Sequence, residues 1–156
     1  IPGLLYRFKF DRVECTRTNA TDEELVTFPT LLSSGDHWLR EDIAGFSFSS
    51  HLFTYLMHAR IPDFTSREVL SQLPSVYINP LRVSRGCGLI YRSDLAEKHW
   101  ELQLTLDHSL LVTDGIFVQF SILSKIDHQD YPIVLKEGRA LLEESLATVG
   151  IEFNAA

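Results

Sequence analysis

The sequence predicts an α+β domain in which a curved antiparallel sheet wraps around one buried helix. Three observations lead there. Residues Ser49 to Arg60 carry Leu52, Phe53, Leu56 and Met57 at the 3.6-residue period, the most apolar helical stretch of the chain. After Pro74 the apolar period changes to two, which reads as a run of strands. From Tyr131 to Val149 an amphipathic helix closes the chain, with Leu135, Leu142, Leu146 and Val149 inward and Gly150 as its stop. One sheet packed over one helix removes both apolar faces from water.

The elements follow in order. Leu4 to Cys15 reads as one strand, because Tyr6, Phe8 and Phe10 alternate with Leu5, Arg7, Lys9 and Asp11. A helix starts at Thr21-Asp22-Glu23-Glu24, where Thr21 caps free amides and the acidic first turn suits the helix dipole. Leu25, Phe28 and Leu32 share its face, Pro29 should kink or shorten it, and Ser33-Ser34-Gly35-Asp36 reads as a loop. The apolar helix Ser49 to Arg60 ends at Ile61-Pro62. Thr65-Ser66-Arg67-Glu68 is a capping box for a short helix through Leu73, stopped by Pro74. Strands are expected at Ser75 to Val83, Leu89 to Arg92, His99 to Asp107 and Leu110 to Leu123. Between the last two, Asp107-His108-Ser109 is favoured as the turn, with Asp114-Gly115 as a bulge.

Composition narrows the function classes. A length of 156 residues suits one domain, and no repeat, low-complexity tract or linker divides it. With 14 Lys+Arg against 21 Asp+Glu the net charge is −7, which disfavours a nucleic-acid binder. The longest uncharged apolar-rich stretch, Ala44 to Met57, is too short and too polar to span a membrane, which takes about 20 apolar residues. The two cysteines, Cys15 and Cys87, form no CxxC pair, so neither a disulfide framework nor a zinc site is expected, and a cytoplasmic location fits. No signal-peptide pattern is visible, although the chain opens at Ile1 rather than Met.

Several motifs then align with one family. Thr21-Asp22-Glu23-Glu24-Leu25-Val26-Thr27-Phe28 is followed by Gly35-Asp36-His37-Trp38-Leu39-Arg40-Glu41-Asp42, then by Ala44-Gly45-Phe46 before the apolar helix. Ile78-Asn79-Pro80-Leu81-Arg82-Val83-Ser84-Arg85-Gly86 opens the strand run. Across residues 4 to 123 the chain resembles the MaoC-like hydratase/dehydratase branch of the hot-dog superfamily. The resemblance implies a single hot-dog domain over residues 1 to 156, with an added C-terminal helix at about 131 to 150, paired as a homodimer or heterodimer. It also implies an acyl-thioester substrate on CoA or an acyl carrier, and no cofactor or metal.

The departures bear on chemistry. The family's aspartate is retained as Asp36, but Arg40 stands at the position of its catalytic histidine, and Ser50-His51 replaces the usual His-Gly pair. Hydration of an enoyl thioester needs a group that activates water and another that moves the proton at the α carbon. Arginine stays protonated and cannot be that base. The resemblance therefore points to Asp36, His37 and His51 as catalytic candidates and to Arg40, Tyr55, Arg82 and Arg85 as substrate contacts.

Each has a plainer reading. Asp36 can be a helix cap, His37 a surface histidine, and Arg82 and Arg85 ordinary exposed arginines. His51, Tyr55 and His58, spaced i, i+4, i+7, share a helical stripe that lines a cleft or merely flanks a buried helix. Asp107-His108 with Asp114-Gly115 reads as turn chemistry, Cys87 as a turn residue, and Asp127, His128 and Asp130 as a solvated loop rather than a metal site. The expected activity is hydration or dehydration of an acyl thioester. The alternatives are a thioesterase, a small-polyketide cyclase or isomerase, and a non-catalytic accessory subunit.

Overall fold

The computed structural model describes residues 4–8, 12–18, 22–61, 63–72, 88–148 and 151. The chain is α+β, and among the described residues its main sheet is antiparallel with four strands. It divides into two compact units, residues 1–48 with 128–137 and residues 49–127 with 138–156.

The first unit opens with β1 (Leu4–Phe8) and β2 (Val13–Arg17), paired antiparallel with Tyr6 opposite Cys15. The single strand expected from Leu4 to Cys15 is thus two. Its aromatic alternation runs on through Phe10, so the period alone carries no sign of the reversal. Helix α1 (Asp22–Asp42) then runs 21 residues without the break expected at Pro29 or the loop expected at Ser33 to Asp36. Ser33 Oγ donates to the carbonyl of Pro29 (3.1 Å) and Ser34 Oγ to that of Thr30 (2.9 Å). Those i−4 bonds absorb hydroxyls that would otherwise compete with the helix. Past its end Phe46 N–H donates to the Ile43 carbonyl in a turn where Gly45, at φ 75°, takes the left-handed conformation open to glycine. Thr21, the expected cap, lies outside the described residues.

In the second unit the sheet has the order β3-β6-β5-β4. Strand β3 (His51–Ala59) pairs over nine positions with β6 (Ile116–Ser124), which pairs with β5 (Trp100–His108), which pairs with β4 (Leu89–Leu95). The buried helix expected at Ser49 to Arg60 is therefore a strand. Its apolar residues fit two periods at once: Leu52, Phe53, Leu56 and Met57 make a helical stripe, while Phe53, Tyr55 and Met57 make one face of a strand. Pairing with β6 decides between them. His51, Phe53, Tyr55 and Met57 are buried or half-buried while Leu52, Thr54, Leu56 and His58 between them are exposed, an alternation that a period of two produces.

Strand β6 is the spine of this unit, with Ile116, Val118, Phe120, Ile122 and Ser124 all buried on one face. Trp100, Leu104 and Leu106 join them from β5. Helix α3 (Tyr131–Thr148) begins in the first unit and ends in the second. Its second half lies on the sheet: a Cβ on Gly138 would come within 2.6 Å of Ile122 Cδ1 and 2.9 Å of the Tyr55 hydroxyl. Leu142 and Leu146 are buried beyond it. The helix against the sheet is thus the C-terminal one, and a bond from Ile151 N–H to the Leu146 carbonyl closes its end.

Between β5 and β6 the expected strand start at Leu110 is replaced by a loop, residues 109–115. Ser109 N–H donates to the Gly115 carbonyl and Gly115 N–H to that of Val112, with Asp114 at φ 55°. Neither a tight turn at Asp107-His108-Ser109 nor a bulge at Asp114-Gly115 forms, because β5 keeps pairing to His108 opposite Ile116. The capping box at Thr65 is realised on helix α2 (Ser66–Gln72): Thr65 N–H donates to Glu68 Oε2 and Glu68 N–H to Thr65 Oγ1. The Thr65 N–H and the Thr65 hydroxyl, which also donates to Oε2 (2.8 Å), hold the Glu68 carboxyl below its usual range. The strand expected at Ser75 to Val83 lies outside the described residues, as do Pro74 and Gly150. Among the described residues no helix is long and apolar enough to cross a membrane.

Candidate functional site

Asp36, His37 and Arg40 sit together on α1, not on a loop. Arg40 Nε donates to Asp36 Oδ1 at 2.8 Å, and the two side chains are only 19% and 13% exposed. The guanidinium also lies over the Phe48 ring, 5.7 Å from its centroid, and Phe48 packs edge-on against Phe46. Helical spacing of four produces the ion pair, and the Phe48 ring adds a cation–π contact to its guanidinium. Asp36 is therefore a helix-interior carboxylate engaged by arginine rather than a cap or a carboxylate presented by a loop. His37, one position on, points outward and reaches Glu41 Oε1 at 3.2 Å across an exposed surface.

His51, Tyr55 and His58 stand on β3 of the second unit, and the stripe expected of them does not form. Four residues span ~6 Å on a helix face but ~13 Å along a strand. His51 and Tyr55 share the inner face, and His58 falls on the outer one. His51 is buried; its Nδ1–H donates to the Ile126 carbonyl (3.0 Å), which places the basic lone pair on Nε2. Burial pushes the Tyr55 hydroxyl up to about 12, against a smaller lowering by Arg139. Arg82 and Arg85 lie outside the described residues, as does Cys87.

No family model, curated protein or solved structure matches this chain.

A second gathering of polar side chains lies at one end of the sheet. Ser66 Oγ is 2.7 Å from His108 Nδ1, and Ser66 N–H donates to the Asp114 carbonyl, so α2 grips both β5 and the loop after it. On the other side His58 Nδ1 meets Ser109 Oγ at 2.9 Å. Sequence spacing missed both pairs. His108 and Asp114 were legible as turn chemistry, but nothing in a local pattern brings Ser66 across to His108, 42 residues away. Asp130, read as part of a solvated loop, caps α3 by accepting the Ile133 N–H. Among the described residues no three His, Cys, Asp or Glu side chains gather to hold a metal ion.

The Tyr55 phenol gives a direct prediction. Its unfolded value is near 10 and its folded value near 12, so the stability from burying the neutral hydroxyl is complete below pH 10. It is lost as pH rises toward 12. Unfolding followed at pH 9, 10 and 11 is expected to show a fall in stability that Tyr55→Phe flattens.

Proposed function

We propose that the chain serves as a non-catalytic accessory domain in acyl-thioester chemistry, acting through a partner chain rather than as a hydratase itself. The observation that carries this reading is the Asp36–Arg40 pair inside α1. A hydratase needs a carboxylate or imidazole whose lone pair is aimed at water. Here the carboxylate of the motif is engaged by a guanidinium that keeps its proton, and the neighbouring His37 pairs with Glu41 at the surface. Placement of His51 on a strand removes the further support that a helix N-terminus would give to a thioester carbonyl.

The acyl-thioester context rests on the motif resemblance of residues 21–46. With it comes a hot-dog-like scaffold in altered form, α3 replacing the segment 49–60 as the helix against the sheet. Pairing with a second copy or with another subunit belongs to the same reading.

Incubation with crotonyl-CoA and with saturated acyl-CoAs tests it, following enoyl absorbance and free thiol. The expected result is no change above buffer in either signal, with Asp36→Ala lowering stability by about 1 kcal/mol, the scale of a partly buried ion pair. Loss of enoyl absorbance that Asp36→Asn abolishes would overturn the proposal in favour of a hydratase. Thiol release would do so in favour of a thioesterase.

A further inference from the structure

The loop 109–115 carries the most exposed large apolar side chains of the described residues, Leu110 (96%) and Leu111 (78%). It is organised around one hydroxyl. Ser109 Oγ accepts the N–H groups of Leu111 (3.1 Å) and Val112 (2.8 Å) and touches His58 Nδ1 (2.9 Å). A serine hydroxyl has two acceptor lone pairs and one hydrogen. With both lone pairs taken by backbone amides, the contact to His58 must be O–H donating to a bare Nδ1. His58 is then the neutral Nε2–H tautomer, its ring 5.1 Å from that of Phe117.

We propose that His58 is an acid-sensitive tether of this loop, closed when its imidazole is neutral and opened by protonation. An imidazolium presents N–H from both nitrogens, so a third donor would face an oxygen with no lone pair left. Either the ring leaves Ser109 or one loop amide is displaced. In the first case the loop loses this hydrogen bond to β3, and in the second it loses an amide bond that shapes its two-leucine tip.

Neighbouring β6 offers Phe117 and the neutral Gln119. Asp107 on β5 lies one strand beyond Phe117, ~10 Å away by strand spacing and so about a Debye length off. Asp114 belongs to the loop itself, and Arg60 follows β3 along the chain. The contrast is His108. Its partner, Ser66 Oγ, carries one hydrogen bond rather than three, so it accepts from the charged ring as readily as it donates to the neutral one.

Amide hydrogen exchange at Leu111 and Val112, corrected for the intrinsic effect of pH, reads the tether. Between pH 7.5 and 5.5 protection is expected to fall about fivefold, the equilibrium weight of one hydrogen bond. His58→Asn, which keeps an acceptor near the Nδ1 position without a titration, should abolish the fall, and His108→Asn should leave it. A fall that persists in His58→Asn, or none in the unaltered chain, overturns the proposal. Independently of any variant, the imidazole ¹⁵N spectrum at pH 7.5 should show hydrogen on Nε2 of His58; hydrogen on Nδ1 would also overturn it.

Discussion

Replacing Phe120 by alanine is expected to cost about 4 kcal/mol of folding stability, in the range for a fully buried large aromatic. Phe120 is 2% exposed at the middle of β6, flanked by Tyr55 on β3 and Leu104 on β5. No neighbouring strand can close over the void, because both are held in register on either side. Urea denaturation should show the loss as a lower midpoint at unchanged slope. The companion measurement concerns two consecutive residues, Leu52 and Phe53. Phe53→Ala should cost about 3 kcal/mol as a buried aromatic, and Leu52→Ala should stay within about 0.5 kcal/mol as a surface change. Equal losses at both would restore the helical stripe and overturn the strand.

Gly115→Ala is expected to cost about 3 kcal/mol, the upper part of the range for overpacking a closed site. A Cβ there would sit 2.7 Å from Val112 Cβ and 2.8 Å from the Ala59 carbonyl oxygen. The second contact is with backbone at the end of β3, opposite Ile116, so it cannot be relieved by turning a side chain. The bonds Ser109 N–H to the Gly115 carbonyl and Gly115 N–H to the Val112 carbonyl must open together for the chain to move aside. Thermal unfolding of Gly115→Ala should show the loss, with the 109–115 amides the first to lose exchange protection. A variant as stable as the unaltered chain would mean that the loop packs less closely on β3.

What could be read along the sequence was local. The capping box at Thr65-Ser66-Arg67-Glu68 formed as its residue types require. Helix α3 runs from Tyr131 as expected, since a 3.6-residue stripe of that length admits no competing period. Strands β4, β5 and β6 follow the alternation of their residues to within a few positions, although β6 begins six residues later than expected. Overlap of two periods hid β3, where apolar residues sit on both faces and only the hydrogen-bonding partner chooses. Breaker chemistry misled at α1, where Pro29, Ser33, Ser34 and Gly35 each argue for interruption and are all carried within one helix. Asp36 stood out in the sequence as a catalytic candidate, and its partner turned on whether residues 33–36 were loop or helix. Only in a helix does Arg40 fall one turn away.

By itself the sequence determined the class: an α+β chain of 156 residues, acidic, with helix α2 capped and helix α3 amphipathic. These follow from properties that neighbouring residues carry with them, namely charge, cap chemistry and an unambiguous period. Tertiary structure alone decided that residues 51–59 are a strand, that Gly138 of α3 lies against the sheet, and that His58 and His108 meet serines far along the chain. The reason is physical: strand pairing and cross-chain hydrogen bonds gain their free energy from partners that no local window contains.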